Sequence, residues 1–473
     1  MEQDLFGNEA KNVKGNASIY YRPNDTSEFE FSSLVGTGEA PLPAGNARYN
    51  IKDFVVQMHK LEYNSGGLTT RAYFTREDAG QTTQSDALAT SVALAQPGGI
   101  QDGWGGIYLN TFLGGAAQVA GFTPDLIGVQ QFLGGVVAPD ILSGSTSFAN
   151  AVPGGAATVA ALHQAARANA DANMLMPGTA EFDAAVSAAS NQAILTFSDQ
   201  GSLGALIKDI SEVYTFEANY DFEDKIDFAN LIVGGLYRDF KLDTDGTLYT
   251  DSPGDPITYS EYGAYAQMQK DLLGDDLSVT ASMRYDKQSV MEDANVTPRL
   301  GLLYKLSDKS NVRISAQVGY RNPTNQDKFI GLYNGEELLL GTTEDNIDRF
   351  DRTLGAADFD GDGVAETSFN WTGDYVFNNA LNKSAWDNGG NLVSESLDFV
   401  EAEKVVSYDI GYRYNSKDFT LDMNAYYSQY ENFIGTNSVY VPAAEAVALA
   451  QSFGLVAMDP STIGIAGPGA YLQ

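Results

Sequence analysis

The stretch DFDGDGVAE, residues 358–366, holds the most concentrated ligand chemistry in the chain. Asp358, Asp360 and Asp362 recur at every second position, Gly363 permits a sharp turn, and Glu366 follows at the ninth position. Alternate carboxylates folded onto one side of a turn make an oxygen-lined pocket suited to Ca2+. The spacing is not that of an EF-hand, because Phe369 stands at the twelfth position, where that loop needs a bidentate carboxylate. A solvated acidic loop is the competing reading. LDTDGTLYTD (242–251) is a weaker version, since Asp243 and Asp245 ahead of Gly246 also spell a hairpin turn.

Little else in the sequence could react. There is no cysteine, which excludes disulfides, thiolate metal sites and Cys nucleophiles. Of the two histidines, His59 lies in a strand pattern and His163 in an Ala-rich helical stretch, and both read as structural or solvent-facing. No Ser/His/Asp triad, Walker loop or dinucleotide fingerprint can be assembled, so the chain reads as a non-enzyme with no catalytic residue and no bound organic cofactor. Trp104, Trp371 and Trp386 fall in long connections, where they would stack on a flat ligand or pack the loops themselves.

The elements that must position these residues are strands. In 311–320, Val312, Ile314, Ala316, Val318 and Tyr320 alternate with Asn311, Arg313, Ser315, Gln317 and Gly319. The same period of two runs through 213–222, 277–286, 298–306, 405–414 and 418–428. These runs are about 9–11 residues long, the length of a tilted membrane-spanning strand and longer than the usual soluble strand. Tyr and Phe recur near their ends, as an interfacial girdle would place them. The spacing predicts twelve strands, near 14–22, 27–35, 49–63, 67–76, 212–222, 227–239, 258–272, 277–287, 296–306, 310–320, 402–414 and 418–430.

Connections supply a second signal. Short turns such as 64–67, 274–276 and 415–418 alternate with excursions at 36–49, 76–211, 241–258, 287–296, 321–401 and 435 onward. A membrane barrel has short turns on one rim and long loops on the other, whereas a sandwich has no reason for that parity. The segment 156–195 is Ala-rich and interrupted at Met176-Pro177-Gly178, which predicts helices in a cap on the long-loop rim. A further helical stretch is expected at 443–452. The fold class expected is all-β: a transmembrane antiparallel barrel whose residues 1–473 form part of one domain, with insertions at 76–211 and 321–401.

Composition agrees. The chain has 473 residues with 62 Asp+Glu against 28 Lys+Arg, a formal charge of −34 that disfavours nucleic acid as a partner. A charged fraction of 19% is low for a halophile surface. No apolar run is long enough for a transmembrane helix, and the N-terminus lacks the basic and apolar regions of a secretory signal.

The segment TPRLGLLYKLSDKSNVRISAQVGYRNPTNQDKF (297–329), with its exit Tyr320-Arg321-Asn322-Pro323-Thr324, resembles TonB-dependent outer-membrane receptors. VEAEKVVSYDIGYRY (400–414) is similar to a later strand of that family through Glu403-Lys404, Tyr408 and Gly411, and DMNAYYSQYENFIG (422–435) to the strand after it. Residues 49–82 resemble Bacteroidetes-type members. The resemblance implies a Gram-negative outer-membrane location and TonB-energised uptake of a scarce ligand, whether siderophore, cofactor, oligosaccharide or peptide. It implies outer-membrane lipid, the TonB complex and a surface lipoprotein as partners. The family also carries a plug and about 22 strands, so this chain is expected to be an internal piece lacking the plug and the C-terminal strands. Arg284, Arg313 and Arg413 are expected to line the lumen. A passive porin-like channel and a secreted calcium-dependent β-rich adhesion protein are the rival readings.

Overall fold

The computed structural model of the chain describes residues 9–44, 47–95, 103–119, 154–172, 174–194, 204–333, 337–354, 369–384, 393–441 and 469–472. All twelve expected strands are present. They are β1 (Lys11–Asn24), β2 (Ser27–Ala44), β3 (Ala47–Ser65), β4 (Leu68–Asp78), β5 (Glu212–Asp221) and β6 (Asn230–Leu242), then β7 (Ile257–Leu272), β8 (Leu277–Gln288), β9 (Asn295–Ser307), β10 (Ser310–Arg321), β11 (Glu403–Asn415) and β12 (Thr420–Glu431). They form one sheet in strict chain order, with the two-residue strand Thr83–Gln84 added beside β3. β1 and β12 end the series and are not paired with each other among the described residues.

Register keeps the two side-chain sets apart across the whole sheet. Phe216 on β5 pairs with Tyr237 on β6, which pairs with Tyr262 on β7. Leu300 on β9 pairs with both Ala281 on β8 and Ala316 on β10. Ile314 pairs with Ile410, and Ile410 with Ala425. Because the side-chain period is two, a slip of one residue anywhere would mix the faces. The apolar face stays largely uncovered: Ile19, Phe216, Met283, Leu300, Ile314, Tyr408, Ile410, Met423 and Tyr427 are all exposed. A continuous exposed apolar surface of this kind is intolerable in water and natural against lipid. We call it the dry face, and the opposite side the wet face. His59 belongs to the dry face, where it stacks between Phe31 and Phe74, with Tyr214 extending the aromatic row.

The connections depart from the expected parity at two places. The excursion expected at 36–49 is mostly strand, since β2 runs on to Ala44 and its residues Val35–Glu39 pair with Lys11–Gly15. Gly36 and Gly38 read as turn signals, yet the polar start of β1 offers them partners in Lys14 and Asn12 and outweighs that preference. The connection from β8 to β9 is also short, at residues 289–294. The long ones are 79–211, 243–256 and 322–402.

By contacts the chain divides into two compact units. The first comprises residues 1–8, 43–50 and 83–206. It holds the helices Ser85–Leu94, Trp104–Val119, Gly155–Ala172 and Ala180–Asn191. The last two fall inside the expected helical stretch, and Thr179 caps the second just after the Met176-Pro177-Gly178 break. Phe112 and Ala166 are its buried contact, and His163 stacks on Phe112 at 4.3 Å. The second unit holds the rest of the sheet and the 322–402 excursion. That excursion, expected as loop, contains short helices and strands around a core of Leu338, Leu340, Ile347, Phe350 and Val376, which Val439 of the later strand Asn437–Tyr440 completes. Its elements are too short to show a hydrophobic period.

Candidate functional site

The wet face is a continuous field of cross-strand polar pairs. Lys60 on β3 donates to Glu30 on β2 at 2.9 Å and to Glu62 at 3.0 Å. Glu62 also accepts from Arg71 on β4 at 3.0 Å and from Asn64 at 2.8 Å. Arg71 reaches Glu217 on β5 at 3.9 Å, and Arg238 on β6 reaches Glu261 on β7 at 3.6 Å. Arg284 grips Asp286 through two bonds of 2.6 Å. Arg313 on β10 spans to Asp422 and Asn424 on β12, both at 2.7 Å. It crosses β11 at Gly411, where an added Cβ would stand 2.5 Å from the arginine Nε. Arg284, Arg313 and Arg413 thus all lie on the wet side, as expected from alternation.

A hollow interrupts this field. Its volume is about 460 Å3, and its walls include Arg71, Glu217, Tyr265, Ser282, Arg299 and Gln317. Tyr265, one of its walls, lies with its ring against Gly234, where a Cβ would come within 2.5 Å of that ring. Alternation alone cannot reveal it, because it depends on which small residue meets which large one across the register.

At the strand ends where the long connections begin, two clusters tie those connections to the sheet. In the first, Lys328 on the short helix Asn325–Phe329 is almost wholly buried. Its Nζ donates to the Tyr259 hydroxyl at 2.8 Å and to Gln288 Oε1 at 3.2 Å. Burial pushes the Lys328 ammonium down to about 8. Tyr259 in turn donates to Asn325 at 2.7 Å. The sequence carried a usable signal for this helix in Thr324-Asn325-Gln326-Asp327, a capping box whose reciprocal bonds are both made.

In the second cluster, the carboxyl groups of Glu77 and Asp209 share a hydrogen bond at the two ends of the 79–211 connection. Burial pushes the Asp209 carboxyl up. Backbone bonds from Glu77 to Ser211 O at 3.0 Å and from Ala79 to Asp209 O at 2.9 Å close the same neck. Nearby, Asp251 accepts from the Thr244 amide at 2.6 Å, from the Thr244 hydroxyl and from the Gly246 amide. The LDTDG segment is therefore a hydrogen-bonded turn with Asp251 as its acceptor. Lys208 occupies Asp245 at 2.7 Å, and Lys241 occupies Asp243 at 2.8 Å.

The sequence-predicted calcium ligands Asp358, Asp360, Asp362 and Glu366 lie outside the described residues, as do Trp386 and the 443–452 stretch. Among the described residues, no cluster of three or more His, Asp or Glu has the arrangement of a metal site. Trp104 packs on Tyr108 and donates to Asp171 at 2.8 Å, a structural use. The Tyr108 hydroxyl bonds His163 Nδ1, which accounts for that histidine as well.

No curated protein matches the chain. A mutant of the ferric enterobactin receptor from Pseudomonas aeruginosa is similar at a TM-score of 0.43 and 10% identity, over 90% of this chain and 43% of that one. The siderophore receptor PirA from Pseudomonas aeruginosa is similar at 0.42 and 9%, over 91% and 47%. The copper transporter OprC is similar at 0.40 and 10%, over 90% and 46%. The chain thus spans less than half the length of these solved structures. The family pattern described as TonB dependent receptor-like, beta-barrel matches residues 6–455. With that match spanning nearly all of the sheet, the chain belongs to the TonB-dependent receptor β-barrel family and is an outer-membrane barrel protein of a Gram-negative bacterium.

Proposed function

We propose that the protein acts in TonB-energised uptake of a scarce nutrient across the outer membrane. The observation that carries this reading is the sheet itself: twelve long strands in chain order, dry on one face and densely ion-paired on the other. A dry face of this extent needs lipid, and a wet face of this extent needs an aqueous or protein-filled interior. The structured connections 79–211 and 322–402 supply the surface that captures the ligand outside the cell. Coupling to TonB runs through a plug domain, and a surface lipoprotein assists capture. Calcium at Asp358, Asp360, Asp362 and Glu366 would order the outer loops. Covalent chemistry has no part in this function.

Growth of a strain lacking the gene, with one nutrient limiting at a time, tests the proposal. A defect under one limitation, reproduced in the parent by dissipating the proton-motive force, is the expected result. Uptake insensitive to that treatment would replace this reading with a passive channel.

A further inference from the structure

The connection 243–256 is bonded to both of the longer ones. On one side it meets the returning end of the 79–211 connection. Thr247 Oγ1 accepts from the Lys208 amide at 2.9 Å and lies 2.9 Å from the Lys208 carbonyl oxygen. The Ile210 amide donates to Asp243 O at 2.8 Å, and Lys208 Nζ reaches Asp245 at 2.7 Å. The Ile207 amide then donates to Thr82 O at 2.8 Å, in the outgoing arm of the same neck.

On its other side the connection meets the start of 322–402. The Thr250 amide donates to Phe329 O at 3.1 Å, and the Gly331 amide to Leu248 O at 3.0 Å. The Thr250 hydroxyl donates to Asn346 Oδ1 at 2.6 Å, and Asn346 Nδ2 donates to Gly341 O at 2.7 Å. A Cβ on Gly331 would stand 2.7 Å from the Thr250 methyl, so the two segments are in close contact there. Tyr249 joins Leu242, Ile257, Tyr259 and Phe329 in one buried apolar cluster.

Between these anchorages the connection is stiff. Thr244, Thr247, Tyr249 and Asp251 are buried. The Thr244 hydroxyl accepts from the Tyr249 amide at 3.1 Å and donates to Asp251, whose carboxylate also takes the Thr244 amide at 2.6 Å. A short segment whose buried polar groups are satisfied from within holds its shape. A stiff element bonded at both ends passes a disturbance at one end to the other.

We propose that 243–256 is a coupling strap, which makes the neck of the 79–211 connection and the start of the 322–402 connection open and close as one cooperative unit. The strap would let an event at one connection be felt at the other. It rests on these bonds and not on the uptake reading. Uptake insensitive to the proton-motive force would overturn that reading and leave the strap standing, so the two fail separately.

Hydrogen exchange of the full chain in detergent micelles, resolved to single amides, tests the strap. Two amides bonded outside it serve as reporters: Ile207, which donates to Thr82, and Gly341, which donates to Ile330 at 2.9 Å. In wild type under mild urea both are expected to lose protection at one urea concentration, below the one that opens β9 and β10. Thr250→Val removes the hydroxyl that holds Asn346 and is expected to speed exchange at Gly341 and, by at least about threefold, at Ile207 on the far side. Thr247→Val removes the hydroxyl that holds Lys208 and is expected to have the mirror effect, reaching Gly341. Thr247→Ser keeps the hydroxyl and is expected to exchange as wild type does. Separate urea transitions for the two reporters, a measurement that needs no variant, would overturn the proposal. So would a change confined to the mutated side, an equal acceleration in β9 and β10, or an effect of Thr247→Ser as large as that of Thr247→Val.

Discussion

The Nζ of Lys328 lies 2.8 Å from the Tyr259 hydroxyl and 4.1 Å from the centre of the same tyrosine's ring. One lysine thus uses a tyrosine both as acceptor and as a π surface, and it does so with its charge buried. The contact joins the start of the 322–402 connection to β7, and Gln288 joins it to β8. Lysine is almost never fully buried without partners, so this cluster sets how firmly the connection is seated.

The Lys328 pKa lies at about 8, against 10.5 for a free lysine. Below pH 8 the lysine is charged folded and unfolded, and the fold carries the full cost of burying the ammonium. Between pH 8 and 10.5 the unfolded chain binds more protons, so stability rises with pH by a total on the order of 3 kcal/mol. Lys328→Met keeps the stem and is expected to abolish that pH dependence. Lys328→Ala is expected to destabilise the segment by about 1–3 kcal/mol, since Gln288 loses its partner and a void opens. Protease susceptibility of residues 322–350, followed from pH 7 to pH 10 in the three proteins, measures both effects.

The neck of the 79–211 connection has the opposite pH response. A carboxyl raised by burial is favoured in its protonated form, so its contribution is present at low pH and is lost as pH rises through its folded value. Exchange of the Glu77 and Ala79 amides, which donate to Ser211 and Asp209, is therefore expected to be faster at pH 8 than at pH 5 beyond the intrinsic rate change. Glu77→Gln replaces the shared proton with a permanent donor and is expected to flatten the difference. Unchanged pH dependence in that variant would show that the carboxyl pair does not hold the neck.

Face assignment is tested by a matched pair of substitutions on β10. Ile314 is exposed on the dry face, and Gln317 faces the wet side. Ile314→Arg is expected to cost about 2–4 kcal/mol of folding into lipid vesicles, the cost of a charge at mid-membrane. Gln317→Arg is expected to cost under about 1 kcal/mol. Urea titration of vesicle-folded protein reads the difference, and equal costs would refute the placement of the faces.

Gly373 marks where the 322–402 core has no room. A Cβ at that position would stand 2.1 Å from the Ile347 carbonyl oxygen, backbone that cannot swing aside. Gly373→Ala is expected to destabilise this core by about 1–3 kcal/mol. Faster proteolysis of 337–378, with the barrel strands still protected, is the signature to look for.

The sequence by itself determined the strands and their faces. Period-two alternation over many residues leaves no other way to sort Ile314, Ala316 and Val318 from Arg313, Ser315 and Gln317, and the register then keeps that sorting across the sheet. The family followed from the same strands and from Tyr320-Arg321-Asn322-Pro323-Thr324 at a strand exit. Tertiary structure alone decided the rest. The length of β2 depended on β1 offering it a partner past Gly36. The order within 322–402 came from short elements that share one core, with no period to announce them. Only the register sets the Tyr265 ring against Gly234 beside the hollow and pairs Arg284 with Asp286. The Lys328 cluster gathers residues 259, 288, 325 and 328, which only the fold brings together. Local periodicity is written in neighbouring residues, whereas polar chemistry in a large sheet is made by side chains from strands far apart in the chain.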